Sequence, residues 1–401
     1  MQIEHYHQAR RRRRRTTPPS KEAATTNSRP SRTSSAFLLT PTEVRTNPHE
    51  DSVQRGARLT SDTMAVDSEQ HAPSNYWKDR ENPDLQPLMR YVPSGITVNS
   101  PLKRMLFHAP ECIPVPKSSR GIKSNKVKGI GVYYYPSTNN NIVQTCSSSA
   151  VLWLHGGGRI LGSAYSMKER DYCHKIVDLL GVPVLSAKYR LAPKHPFPAA
   201  LDDARMAYQW LAGKLAETCT SKVKIALAGE SAGGGLAAEL SQWLLDANNA
   251  DLTIPLPVCQ LLIYPMLDDR TCVDNALSKV PPHMVWNNKS NKYAWSSYLG
   301  KKYSPGDEQL PNYASASRRI NLSNLPPAFV LVGDMDLFHQ ECVEYARRLR
   351  EDGVQVELMS VKGGFHGMIS FANMAPLDKE PLPIVEGWER FQAFGKRYLS
   401  D

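Results

Sequence analysis

The chain has 401 residues, 41% of them hydrophobic and 22% charged, a balance that fits a globular protein and excludes collagen-like, fully disordered and membrane-array classes. Its net charge is +10, but residues 1–75 hold 12 Lys/Arg against 8 Asp/Glu, which leaves a mild +6 over the rest; with no dense basic patch, a nucleic-acid partner is not expected. No run reaches the roughly 18 apolar residues of a spanning helix, so stable membrane insertion is not expected, and seven scattered cysteines, odd in number and never in a C-x-x-C pair, argue against a disulfide framework and a zinc cage.

Residues 1–75 are rich in Ser, Thr and Pro and lack a sustained apolar period, so they cannot bury enough surface to offset backbone ordering and are predicted to be a disordered basic tail. The run Arg10 to Arg15 fits a solvated tail, a nuclear signal or an organelle presequence; no secretory h-region follows it. A cytoplasmic location is expected, with nuclear or organellar targeting left open. Met64 is an alternative start that would remove nothing catalytic.

From residue 76 the pattern changes to short apolar runs alternating with helical stretches. Strands are predicted at Ile130 to Tyr135, Ala150 to Leu154, Val182 to Ala187, Val223 to Ala228, Val258 to Tyr264, Ala328 to Val332 and Val354 to Val361. Helices are predicted at Lys168 to Leu180, Ala199 to Leu215, Ala232 to Asn248, His339 to Asp352 and Val385 to Tyr398. Alternating β and α units of this kind make an α/β fold, with a mostly parallel central sheet covered by helices on both faces, in one domain from 76 to 401.

The predicted strand ending at Ala228 runs straight into Gly229-Glu230-Ser231-Ala232-Gly233 and then into a helix. Glycine and serine clusters are common in loops; G-x-S-x-G between a strand and a helix is specific, because that sharp turn exposes a serine at the carboxyl edge of the sheet. Ser231 is the candidate nucleophile. The second element is His155-Gly156-Gly157-Gly158, directly after the strand Val151 to Leu154. Attack on an ester carbonyl creates an oxyanion, and amides free of side-chain bulk can converge on it. The expected donors are the amides of Gly157, Gly158 and Ala232.

A serine nucleophile needs a base, and the order Ser, Asp, His along the chain restricts the choice to His283, His339 and His366. His366 lies in Gly363-Gly364-Phe365-His366-Gly367, just past the last predicted strand, where an imidazole can hang over the sheet edge. His339 falls on a predicted helix and reads as a surface residue. The orienting carboxylate should follow a strand as well, and Ala328 to Val332 leads into Gly333-Asp334-Met335-Asp336. On position alone Asp334 and Asp336 both qualify, and either could cap the helix that follows. The Asp334-x-Asp336 pair has no nearby His or Cys with ligand spacing, so no metal and no cofactor is expected.

With these pieces the chain resembles the hormone-sensitive-lipase-like branch of the α/β-hydrolases, especially its acetyl-esterase and carboxylesterase members. The resemblance runs from about Gly131 to the C-terminus and includes the segments Tyr189 to Ala200 and Leu261 to Arg270. It implies the α/β-hydrolase fold, selects Asp336 over Asp334, and implies a cap built from about 76–115 and 266–300, the latter with Trp286, Asn287 and Trp295. Two residues depart from the family pattern: Arg159 follows the glycines where an aromatic or aliphatic residue is usual, and Glu230 stands for the commoner Asp. The implied activity is hydrolysis of a small-molecule carboxylic ester through a Ser231–His366–Asp336 acyl-enzyme mechanism. Amidase, deformylase or acyltransferase chemistry on the same groups is the alternative within enzymes, and a non-catalytic ligand receptor the alternative outside them. Acyl length, alcohol partner, ester-versus-amide preference, oligomeric state and physiological substrate are not readable from the residues.

Overall fold

Eight strands form one sheet in the order β1-β2-β4-β3-β5-β6-β7-β8. They are β1 Lys123–Val127, β2 Ile130–Tyr135, β3 Ser149–Leu154, β4 Val184–Lys188, β5 Lys224–Glu230, β6 Cys259–Ile263, β7 Ala328–Gly333 and β8 Val356–Val361. The computed structural model describes residues 82–89, 91, 98, 123–127, 129–137, 148–250, 254–273 and 285–400, all within the unit Ser68–Asp401. The basic tail, Arg10 to Arg15, Met64, His283 and most of the N-terminal cap segment lie outside the described residues.

β2 pairs antiparallel with β1 and β4; from β4 onward every pairing is parallel. Parallel strands need covered faces, and the residues comply: every side chain of β3, β6 and β7 is buried. Cover comes from α2 Met167–Leu180, α3 Ala199–Thr218, α4 Ala232–Asn249, α6 His339–Glu351 and α8 Leu382–Leu399. Three shorter α-helices, α1 Gln86–Met89, α5 Asn288–Leu299 and α7 Met368–Met374, complete the α-helices among the described residues. Among the described residues, no helix is long and apolar enough to cross a membrane.

Local chemistry explains the helix limits. Ser166 accepts from the Glu169 amide at 3.2 Å to start α2, and Gly181 ends it at φ 71°, a left-handed position where glycine carries no Cβ penalty. Asn287 caps α5 in the same way, accepting from the Ser290 amide at 3.0 Å. All seven predicted strands and all five predicted helices are present, with ends shifted by a few residues.

The structure adds what the apolar pattern did not signal. β1 carries only one apolar residue, Val127, because an edge strand needs to satisfy one neighbour rather than two. α7 is too short to show a helical period.

Register places the site. Leu154 pairs with Gly229, Glu230 with Ile263, Ile263 with Leu331, and Gly333 with Val361. The carboxyl ends of β3, β5, β6, β7 and β8 therefore stand abreast, and the residues that follow them leave the sheet at one edge. That crevice is where ligands bind in open parallel sheets.

Candidate active site

Ser231 sits between β5 and α4 at φ 51° and ψ −123°, a conformation that costs a non-glycine residue about 1–3 kcal/mol and persists only when its surroundings hold it. They do so through three backbone hydrogen bonds: its amide donates to Ile263 O at 2.9 Å, and its carbonyl accepts from Gly235 N at 3.0 Å and Met266 N at 2.9 Å. Gly233 is obligatory for a different reason. A Cβ there would lie 2.0 Å from the Leu154 carbonyl oxygen and 2.4 Å from that of His155, so any side chain would force the elbow off β3.

Ser231 Oγ lies 2.9 Å from His366 Nε2, and His366 Nδ1 lies 2.8 Å from Asp336 Oδ2. All three residues are buried, with 6–7% of their surface exposed. The other Asp336 oxygen, Oδ1, accepts from the Phe338 amide at 2.9 Å, so the carboxylate is held from two sides. Tyr264 and Phe338 meet the His366 ring edge-on, each with centroids 5.0 Å away, and restrict its rotation. Asp334 takes another position: its Oδ1 accepts from the Gly363 amide at 2.7 Å, which ties down the loop carrying His366. His339 does not join the group and pairs with Ser360 Oγ at 3.0 Å.

Gly157 and Gly158 adopt φ +107° and +61°, which glycine reaches at no steric cost. Among the described residues, the amides of Gly157, Gly158 and Ala232 donate to no protein acceptor, so they remain available to a developing oxyanion. His155 is fully buried, stacked on Tyr189 with centroids 4.1 Å apart; the Tyr189 hydroxyl donates to its carbonyl at 2.6 Å. Trp286, just before α5, lies against this turn: its ring edge would meet a Gly158 Cβ at 2.6 Å.

Arg159 is fully buried. Its Nη2 donates to Glu239 Oε1 at 2.7 Å, and its guanidinium lies against the faces of Tyr298 and Trp295, 4.1 and 4.8 Å from the ring centroids. It therefore joins the glycine turn to α4 and to α5. Removing one partner of such a buried pair typically costs about 3–5 kcal/mol, because the other charge is left uncompensated.

The sequence pattern did not signal the partners of Glu230. Lys168 donates to its Oε1, while Tyr264 and Ser370 donate to its Oε2 at 3.0 and 3.2 Å. Lys168 and Ser370 stand 62 and 140 residues away from it in the chain, a separation no local period bridges. Tyr264, the last residue of a predicted strand, carried the one readable sign.

Other chemistry finds less support. Burial pushes the Cys173 and Cys342 thiols well above their ordinary value and Cys272 up to about 12, so none of these supplies a thiolate near neutral pH. A cleft of about 970 Å³ is lined by Asp246, Asp268, Arg270, Arg318 and Arg348, among others. It contains none of Ser231, Asp336 and His366, and Arg270 and Arg318 are paired with Asp268 and Asp269. Among the described residues, no group of three or more His, Cys, Asp or Glu could hold a metal ion.

Glu341 braces the acid side of the site. Its Oε1 accepts from the Leu267 amide at 2.6 Å and its Oε2 from Thr271 Oγ1, which joins α6, just beyond Asp336, to the loop after β6. Burial pushes its carboxyl well above the ordinary 4.5, outweighing those hydrogen bonds. The folded chain thus binds this proton more tightly than the unfolded chain. The resulting stability is complete below about pH 4.5 and is lost as pH rises through the elevated value. Glu341→Gln, which cannot ionise, is expected to gain stability relative to the parent as pH rises from about 5 to about 9. Urea midpoints measured across that range check this, and a constant difference between the two proteins would contradict it.

A family model described as the alpha/beta hydrolase fold matches residues 151–370. The chain is 30% identical over 239 residues to an ethyl acetate hydrolase of Pseudomonas putida, covering 60% of this chain and 72% of that protein. It is 28% identical over 316 residues to carboxylesterase NlhH of Mycobacterium tuberculosis, covering 74% and 93%. The solved structure of a bacterial heroin esterase superposes with a TM-score of 0.66 at 28% identity, covering 80% of this chain and 99% of that one. The motifs, the sheet order and these relatives agree that the chain belongs to the α/β-hydrolase fold family, in its hormone-sensitive-lipase-like carboxylesterase branch.

Proposed function

We propose that this protein is a serine hydrolase of small or short-to-medium acyl esters, with Ser231 as nucleophile, His366 as general base and acid, and Asp336 as the orienting carboxylate. The observation that carries the reading is the unbroken run from Ser231 Oγ to His366 Nε2 and from His366 Nδ1 to Asp336 Oδ2, at 2.9 and 2.8 Å. His366 takes the hydroxyl proton as Oγ bonds to the carbonyl carbon, and the carbonyl electron pair moves onto oxygen. The amides of Gly157, Gly158 and Ala232 then face that oxyanion. The intermediate collapses, the C–O bond to the leaving group breaks, and the proton on His366 passes to the departing alcohol. Water, deprotonated by the same imidazole, attacks the acyl-enzyme and frees the acid and Ser231. General-base assistance contributes about 10²- to 10⁴-fold and each oxyanion donor about 10²- to 10³-fold, so the site needs no cofactor for this reaction.

Preference for short acyl groups is supported by crowding around the base and the glycine turn. Trp286 meets Gly158, while Tyr264 and Phe338 flank His366. We read residues 76–401 as one hydrolase domain, with α5 as part of its cap.

A series of p-nitrophenyl esters from acetate to palmitate, with a matched anilide, tests both halves of the proposal. Acetate to butyrate should exceed palmitate in kcat/KM by at least about tenfold, since pocket fit discriminates by about 10- to 200-fold per misfitted group. The anilide should be slower than every short ester. Preference for palmitate would overturn the chain-length reading, and preference for the anilide would overturn the ester reading.

A further inference from the structure

Glu230 precedes the nucleophile and takes no part in the proton transfers proposed above, yet it is a buried acid with three hydrogen-bonding partners beside them. Glu230 itself lies in the elbow, its carboxylate is hydrogen-bonded to Tyr264 and Ser370 in two other segments beside the triad, and it lies close to the glycine turn. It adjoins Ser231 in the elbow. Its Oε2 accepts from Ser370, four residues past His366, at 3.2 Å and from Tyr264, whose ring meets His366 edge-on, at 3.0 Å. Its Oε1 lies so near the oxyanion turn that a Cβ on Gly156 would be 2.7 Å away. Tyr172 closes the ring, its hydroxyl 2.7 Å from that of Tyr264 and 3.1 Å from Ser370 Oγ.

Such an acid is costly to bury unless it is paired and fully hydrogen-bonded. Burial pushes the Glu230 carboxyl up, but the Lys168 ammonium and the hydroxyl donors outweigh burial and hold it below its ordinary value. It is therefore charged at neutral pH, and hydrogen bonds to a charged acceptor are roughly twice as strong as neutral ones. The Lys168 side chain is 28% exposed and that of Glu230 only 2%, so the counter-charge reaches solvent while the carboxylate does not.

We propose that Glu230 is a positioning residue, whose single carboxylate holds the nucleophile elbow, the loop carrying His366 and the glycine turn in mutual register, with Lys168 as its counter-ion. The proposal rests on the Ser231–His366–Asp336 reading and adds to it. Displacing a reacting group by about 1 Å costs as much as 10²-fold, and an elbow linked to the base loop through one acid resists that displacement.

The test is steady-state hydrolysis of p-nitrophenyl acetate by the full chain and by Glu230→Gln, Ser370→Ala and Tyr264→Phe. Each rate is divided by the concentration of serine that a fluorophosphonate probe titrates. That normalisation separates position from folding, since a merely structural defect lowers the titrated fraction and leaves kcat per titrated site unchanged. E230Q should lose about 10- to 10²-fold in kcat with KM within about twofold. The two single-bond variants should lose smaller factors in the same parameter. Should E230Q fail to fold, S370A and Y264F carry the test, because each removes one hydrogen bond and leaves the Lys168–Glu230 pair in place. Unchanged kcat per titrated site in every variant that folds would overturn the proposal. An inert, unlabelled parent would overturn the hydrolase reading instead.

Discussion

Ser231→Ala is expected to lower kcat/KM for p-nitrophenyl acetate by about 10⁴-fold or more while the protein stays folded. The size follows from what is removed. Without Oγ there is no acyl-enzyme, and His366 Nε2 loses the hydroxyl that it meets at 2.9 Å; what remains is oxyanion and binding assistance to direct attack by water. Stability should change little or improve slightly, because alanine loses only one buried hydroxyl and the backbone bonds to Ile263, Gly235 and Met266 do not depend on the side chain. Loss of fluorophosphonate labelling should accompany loss of turnover. A variant that keeps more than about a tenth of parental kcat/KM would remove Ser231 from the mechanism.

The second large effect separates two aspartates only two residues apart. Asp336→Asn is expected to lower kcat by about 10⁴-fold, as expected where an amide in place of the orienting carboxylate favours the wrong imidazole tautomer. Asp336 Oδ2 meets His366 Nδ1 at 2.8 Å, and a donating amide there would turn the ring's proton toward Ser231. Asp334→Asn should cost less than about tenfold, since asparagine can still accept from the Gly363 amide that Asp334 Oδ1 meets at 2.7 Å. Comparing kcat for the two variants at one pH decides the matter. A larger loss in D334N than in D336N would reverse the assignment.

The contrast between these aspartates shows where a linear pattern stops being informative. Both follow β7, both could cap a helix, and both end up hydrogen-bonded at the same sheet edge. They differ by which oxygen faces His366 and which faces the Gly363 amide, a matter of chain direction after Gly333. Resemblance to relatives favoured Asp336, and the 2.8 Å contact gives the geometric reason. Arg159 shows the same limit. Next to the glycine turn it reads only as a departure from the aromatic or aliphatic residue usual there, whereas its guanidinium lies buried between Glu239, Tyr298 and Trp295. A cation beside a glycine turn has no local feature that announces a carboxylate 80 residues later.

By itself the amino-acid order determined the layered α/β architecture, the G-x-S-x-G turn, the glycine turn and the position of His366 just past the last strand. Each of these rests on short-range rules: apolar period, Cβ clashes in tight turns, and the position of a residue relative to its own strand end. Only the tertiary structure decided the register that sets five strand ends abreast, the edge strand β1, and the ring of Lys168, Tyr172, Tyr264 and Ser370 around Glu230. Those depend on groups far apart in the chain, whose meeting is fixed by the free energy of burying the whole sheet rather than by any neighbour in sequence.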